Sequence, residues 1–335
     1  MNKFPLLIVT FLGNLIMLSA QPVTYNFRHE QGLLTPLAEY GSGFTEHTVM
    51  DDLVGNHRQK LPFTFKLYGV SMDSVNISEN GFIWFGSKQE LNIGPISVDE
   101  QGVTGVISAL GKDLHPHIKT NLTTTIRSGI VGTAPYRMFI VEWANTSRID
   151  PVKEDQPEDT LTFQIKLYET TNRVELVYGF FKLNKRYISV AEVGIKGESS
   201  NEFYNRKTEL GKNWDNTVIG DLPESTCELS EVYYPQFGQL LVWEPNGSTG
   251  LKVHQIYADA KVFPNPTRDA VQFEFPESIN ECIQVDVFNL QGMLVKSVKM
   301  NASEKLLLQG LPNGFYAMQI TTAKGNYLSK VLVQE

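Results

Sequence analysis

The sequence predicts an all-β chain built as a two-sheet sandwich followed by a second, smaller sandwich. Three observations predict it. Segments such as "LPFTFKLYG" (61–69), "SVNISENGFIWFG" (74–86), "YRMFIVEWAN" (136–145), "LTFQIKLYE" (161–169) and "RVELVYGFF" (173–181) alternate apolar with polar residues and are rich in β-branched and aromatic side chains. Asn80-Gly81, Thr171-Asn172 and Asn184-Lys185 stand between such runs, where residues that accept positive φ make hairpin turns. No amphipathic segment of helical period exceeds about two turns, against ~11 residues for a typical helix.

In chain order, the first element is a leader. Lys3 is a minimal basic start, residues 4–18 are apolar apart from Thr10, Gly13 and Asn14, and Ser19-Ala20 are small. This pattern predicts a secretory signal peptide over 1–20 with Gln21 as the new N-terminus. A retained membrane anchor needs ~20 apolar residues, and this run is shorter and broken. Gln21 stands where a lipid-anchored protein carries Cys.

Length and composition set bounds on the remainder of the chain. A chain of 335 residues with 41% hydrophobic content fits two globular domains. A net charge of -8 with no basic stripe argues against a nucleic-acid partner, since phosphate binding requires clustered Lys and Arg. The two cysteines, Cys227 and Cys282, fall on opposite sides of the expected domain boundary. They are expected to be unpaired buried thiols, although an oxidising compartment would permit a bridge.

The run "SENGFIWFG" shows how one strand is read. Phe82, Trp84 and Gly86 share one face, and Ile83 and Phe85 the other. A strand apolar on both faces belongs to the centre of a core, so Trp84 is expected there rather than as a platform for a ligand.

Catalytic and metal chemistry has few candidates. In "KDLHPHI", Asp113, His115 and His117 alternate, and an extended backbone would turn them to one side, but zinc needs a further firm ligand. The acidic run "RIDPVKEDQPEDT" (148–160) holds Asp150, Glu154, Asp155, Glu158 and Asp159, without the spacing of a calcium loop, and is expected to be a solvated connection, as are Asp51-Asp52. Nucleophile-elbow and zinc-protease motifs are missing, and no cofactor is expected. Glu142, Glu169 and Glu175 are the carboxylates available for glycoside hydrolysis and are expected to face solvent. "DSV" at Asp73 and "DTL" at Asp159 resemble a bacterial O-glycosylation signal.

The ordered series "YNFRHEQGLLTPL", "LPFTFKLYG", "NISENGFIWFGS", "GVISALGKDL", "GTAPYRMFIVEWAN", "FQIKLYETTNRVELVYG" and "EVGIKGESSNEFYN" resembles a β-sandwich module of surface and secreted proteins from Gram-negative bacteria that use type IX secretion, and distantly the nidogen-type extracellular domain. The resemblance implies a β-sandwich passenger over 21–245 and a secreted habitat. It brings no catalytic residues, and leaves a binding or adhesion module, a hydrolase with dispersed residues, and an envelope component as the function classes.

Residues 246–261 lose alternation and read as a linker. Beyond them, "VFPNPTRDAVQFEF", "IQVDVFNLQGMLVKSV" and "LQGLPNGFYAMQITTAKGNYLSKVLVQ" open on two prolines that cannot extend a preceding strand. Asn265 and Asp269 are expected to form local side-chain turns, Gly292 and Gly314 to permit reversals, and Gly325-Asn326 to turn a hairpin. Residues 262–335 are similar to the type A C-terminal sorting domain of type IX cargo, a small Ig-like β-sandwich. The resemblance places Pro264, Asn265, Pro266 and Asp269 in its opening turn, Gly292 in its middle turn, Gly314 and Tyr316 in its late signature, and Lys330 near its end. It implies passage through the periplasm to the cell surface, with the type IX translocon, a sortase-like peptidase and surface lipopolysaccharide as partners. Cleavage is expected in the linker, giving a product from Gln21 to about Gly250, because exposed connections are where proteases gain access.

Overall fold

The computed structural model describes residues 23–41, 43–47, 57–117, 122–148, 159–183, 188–246, 257–275, 279, 282–289, 293–322 and 326–334. The fold is all-β, as the alternation requires. The passenger holds two large antiparallel sheets. The first runs in the order Tyr25–Gln31, Gln239–Pro245, Val174–Lys182, Thr160–Tyr168, Met138–Arg148, Thr125–Val131, Phe44–His47, with Leu114–Pro116 beside one end of Met138–Arg148. The second runs Val218–Ile219, Phe203–Lys207, Val193–Lys196, Val103–Ser108, Phe82–Gly86, Val70–Ile77, His57–Leu67.

Inward side chains of both sheets form one core. Phe65, Val75, Ile83, Phe85 and Ile107 come from the second sheet, and Trp143, Phe163, Ile165, Leu176 and Trp243 from the first. The Trp143 and Phe163 rings stack at 5.2 Å, and the indole N–H of Trp143 donates to Ser78 O, so a polar atom enters the core with its partner. Phe82 and Trp84 face the other way and are covered by Leu91 and Ile96, with the Trp84 indole N–H donating to Lys88 O. Trp84 is therefore a packed residue, 1% exposed.

The turns follow their chemistry. Gly81 (φ 77°) turns the chain into the Phe82–Gly86 strand, and Asn172 (φ 53°) turns it between Thr160–Tyr168 and Val174–Lys182. Asn184-Lys185 lies outside the described residues. Gly86 stands hard against fixed backbone: φ is +114°, and an added Cβ would stand 2.1 Å from Gly102 O, where the register with Val103–Ser108 shifts. Gly86→Ala is expected to cost at least ~3 kcal/mol, because a fixed backbone carbonyl has to move and the φ is strained for any L side chain. Urea unfolding of the variant checks this.

The C-terminal part is a second sandwich. A five-stranded sheet, Tyr257–Asp259, Asn326–Val333, Gly314–Thr321, Cys282–Phe288, Leu294–Asn301, packs on a three-stranded one, Lys261–Phe263, Ala270–Glu274, Leu306–Leu307. Val271, Phe273 and Leu306 meet Val285, Met318, Val331 and Val333 in its core. Residues 257–259 and 261, whose pattern reads as linker, are strand residues of this part. Residues 247–256 lie outside the described ones.

Candidate functional site

Three places gather the chemistry-bearing residues. The outer face of the first sheet carries charge in cross-strand rows. Glu46, Arg127, Glu142 and Gln164 stand side by side on four strands, and Lys166 stands opposite Glu175. Alternation alone puts Glu142 and Glu175 in solvent. They are 1% and 5% exposed. Glu142 is covered by a strap, residues 32–41, that crosses this face: the Leu37 N–H donates to Glu142 Oε2 at 2.8 Å, and Gln164 Nε2 donates to the same oxygen and to Thr35 O. Strand alternation assigns a residue to a face but says nothing about what lies on that face.

Burial sets the charges there. It pushes the Glu142 carboxyl up, against the lowering effect of its hydrogen bonds, and pushes the Lys166 ammonium down, against the carboxylates of Glu175 and Glu142. Glu175 is held by Tyr168 Oη at 2.6 Å and Arg173 at 2.7 Å. Glu169 is half-buried and takes the backbone N–H and two guanidinium N–H groups of Arg137.

The second place is where the edge strands of the two sheets meet. His47 Nε2 lies 2.9 Å from Ser128 Oγ, the His47 and His57 rings are 4.8 Å apart, and His57 Nε2 is 3.9 Å from Glu79 Oε1. A serine beside a histidine suggests a nucleophile with its base, and no sequence spacing reveals the pair. Its setting argues otherwise. Ser128 is 3% exposed, and burial, with His57 beside it, pushes His47 down to about 4, too low for a base at neutral pH. A histidine depressed in the folded state binds its proton more weakly there than in the unfolded chain, whose ordinary value is ~6.5. Its contribution to stability is therefore complete above that value and is lost as pH falls toward 4. Denaturation at pH 7 and pH 5 is expected to show lower stability at pH 5, with a smaller drop in His47→Gln.

The metal candidates do not converge. Both His115 ring nitrogens face backbone carbonyls, Pro116 O at 2.8 Å and Arg148 O at 3.1 Å, and His117 lies beside Thr124 and Thr160. Among the described residues no cluster of three or more His, Cys, Asp or Glu could hold a metal. Asp159, expected in a solvated acidic loop and an O-glycosylation signal, is instead 3% exposed and pairs with Arg148 at 2.5 Å. Asp51-Asp52 and residues 150–158 lie outside the described residues. Cys227 is a free, buried thiol, and burial raises its pKa.

The third place is the opening turn of the C-terminal sandwich, and it grips the end of the chain. The Asn265 side chain reaches 65 residues ahead: its Nδ2 donates to Lys330 O and its Oδ1 accepts from the Leu332 N–H, both at 2.9 Å. Thr267 continues the grip, donating to Leu332 O and accepting from Gln334 N. The local turn expected of Asn265 is thus replaced by a long-range amide clamp that imitates a strand partner. Asp269 accepts the Leu308 N–H through its backbone carbonyl, again a distant partner. The reversal expected at Gly314 occurs at Gly310 (φ 85°), where Leu311 N–H donates to Leu308 O, and Gly314 begins a strand opposite Val333. Tyr316 is buried with its hydroxyl donating to Pro312 O at 2.7 Å. Pro264 and Pro266 flank the clamp, the Lys330 side chain is exposed, and Gly292 lies outside the described residues.

Comparison with known families matches this division. A family model described as NIDO related matches residues 24–245. The chain belongs to the NIDO-related family. Its NIDO-related module ends with the last strand of the first sheet, Gln239–Pro245, which pairs with the first, Tyr25–Gln31. Residues 261–334 match a secretion system C-terminal sorting domain. The amide clamp of Asn265 lies inside that match. The match makes the NIDO-related chain a cargo of type IX secretion, directed to the cell surface or the surroundings of the cell. No curated protein and no solved structure matches it.

Proposed function

We propose that the NIDO-related module is a non-enzymatic binding or adhesion module, carried out by its sorting tail and then separated from it. The observation that carries the reading is the closure of the module on itself. Strand Gln239–Pro245 lies between Tyr25–Gln31 and Val174–Lys182, and the Asn246 N–H donates to Thr24 O, so the module's last hydrogen bonds are made before the connection begins. A cut within 247–256 breaks none of these contacts. The groups that catalysis would use are engaged elsewhere: Ser128 and His47 in a buried link, Glu175 by Tyr168 and Arg173, Glu142 by the strap.

In this reading the leader 1–20 is removed on export, a sortase-like peptidase cuts the connection, and the product runs from Gln21 to about Gly250, attached to surface lipopolysaccharide or released, with a glycan or protein as its ligand. Mass spectrometry of the surface form is expected to recover passenger peptides and none spanning Leu311–Tyr316. Recovery of the latter sinks the processing step. A glycan array and a panel of surface proteins test the binding step. A hydrolase is the second reading, favoured by the raised Glu142 carboxyl and the paired Glu175 on one sheet face. Sugar release that Glu142→Gln abolishes would establish it in place of the binding module.

A further inference from the structure

A buried cation that no carboxylate among the described residues pairs with lies where the edge strand Tyr25–Gln31 of the first sheet meets Phe203–Lys207 and Val218–Ile219 of the second. Arg206 is 6% exposed. Its Nε donates to Thr217 Oγ1 at 3.3 Å, an Nη donates to Thr217 O, and the guanidinium lies over the Phe27 ring at 3.8 Å. Every other buried or half-buried arginine described in the passenger holds a carboxylate: Arg28 holds Glu30 and Glu244, Arg127 Glu46, Arg137 Glu169, Arg148 Asp159 and Arg173 Glu175. Among the described residues no carboxylate pairs with Arg206, and burial pushes its guanidinium down, with Tyr204 and Cys227 opposing.

Taking a guanidinium out of water without an anion is costly, and a ring face with two neutral acceptors returns part of that cost. The planar fork of five N–H donors spends two of them on Thr217, and the remainder suit the two oxygens of a carboxylate or sulfate. Other side chains surround it. His29 is exposed, its Nε2 2.9 Å from Thr217 Oγ1 and its ring edge-on to Phe27 at 4.9 Å, and half-buried Tyr204 stands 6.0 Å from Phe27.

We propose that Arg206, with Thr217, Phe27 and His29 around it, forms an oxyanion-binding site that takes the carboxylate or sulfate of a small acidic ligand. The site deepens the binding-module reading and rests on it for its biological use, while the anion measurement stands alone. The charged groups facing His29 are Arg206, which disfavours its proton, and Asp215, which favours it. An anion at Arg206 cancels the first effect, so binding tightens as pH falls through the histidine range.

Isothermal titration of the purified full-length protein with glucuronate, acetate and sulfate tests the site. Wild type is expected to bind saturably, and Arg206→Met to bind ~10–100-fold more weakly, the ratio that charge-assisted hydrogen bonds support. His29→Gln is expected to lose the tightening at lower pH. Glucuronate binding more tightly than acetate assigns the oxyanion to a sugar, and equal binding assigns it to a bare carboxylate. Equal affinity in wild type and Arg206→Met, or saturable binding of none of the three, overturns the proposal. Should Arg206→Met fail to fold, NMR titration of His29 in wild type decides: a raised pKa in sulfate relative to chloride supports the site, and an unchanged one overturns it. A blank glycan array beside saturable acetate binding removes the binding-module reading and leaves the site standing.

Discussion

Deleting residues 326–335 is expected to abolish export, leaving the protein in the periplasm while the full chain reaches the outside. The deletion removes strand Asn326–Val333, which lies inside the five-stranded sheet between Tyr257–Asp259 and Gly314–Thr321. It takes Tyr327, Val331 and Val333 from the core and strips both partners from the Asn265 amide. A small sandwich that loses an internal strand exposes two unpaired edges and much of its core, and such a domain has little stability to spare. Asn265→Ala is the graded version. It keeps the strand and loses two hydrogen bonds, about 1–3 kcal/mol, and should slow export without stopping it. Fractionation with immunoblotting reads both, and a signal-bearing fluorescent protein fused to 246–335 is expected to follow the same order. Export of the truncated chain at the full rate would show that the recognised feature lies outside the last strand.

The second large effect is expected from Asp159→Ala, a loss of ~3–5 kcal/mol, because it leaves a buried guanidinium without its carboxylate. Arg148 is the hub. Its Nε meets Asp159, one Nη donates to Ser189 Oγ at 3.0 Å and to Leu229 O at 2.6 Å, so it joins the first sheet to the two-stranded ribbon of Ser189–Ala191 and Cys227–Leu229. Against a total stability of ~5–15 kcal/mol for an ordinary domain, that loss removes a large part of the margin and lowers the unfolding midpoint accordingly. Urea denaturation checks it. The pair Arg148→Met with Asp159→Leu is expected to recover most of the loss, since an apolar replacement has no charge to compensate. A single Asp159→Ala variant as stable as wild type would mean that solvent reaches Arg148.

Much of this architecture was legible in the residues. Period-two alternation marked the strands around Trp84, Trp143, Phe163 and Leu176, and Asn-Gly chemistry marked the turns at Gly81 and Asn172, because both depend on neighbours a few positions apart. The candidate sites were less legible. Glu142 and Glu175 read as solvent-facing because alternation is blind to the strap that arrives from residues 32–41 over Glu142 and to the Tyr168 and Arg173 side chains that hold Glu175. Asp159 read as one more loop acid, though its partner Arg148 lies across a hairpin. The pairs His47 with Ser128 and Arg206 with Phe27 join residues 81 and 179 positions apart, and no periodicity spans such a distance.

By itself, the sequence determined the all-β class, the division into two sandwiches and the secretion route, each written in local patterns of period, turn residue and motif. The tertiary structure alone decided which charges are buried, that Asn265 clamps the final strand rather than its own turn, and that no carboxylate among the described residues pairs with Arg206. Those outcomes depend on which distant strands share a face and what covers it, and a charge is stabilised or stranded by what stands within a few ångströms of it in space, whatever its neighbours in the chain.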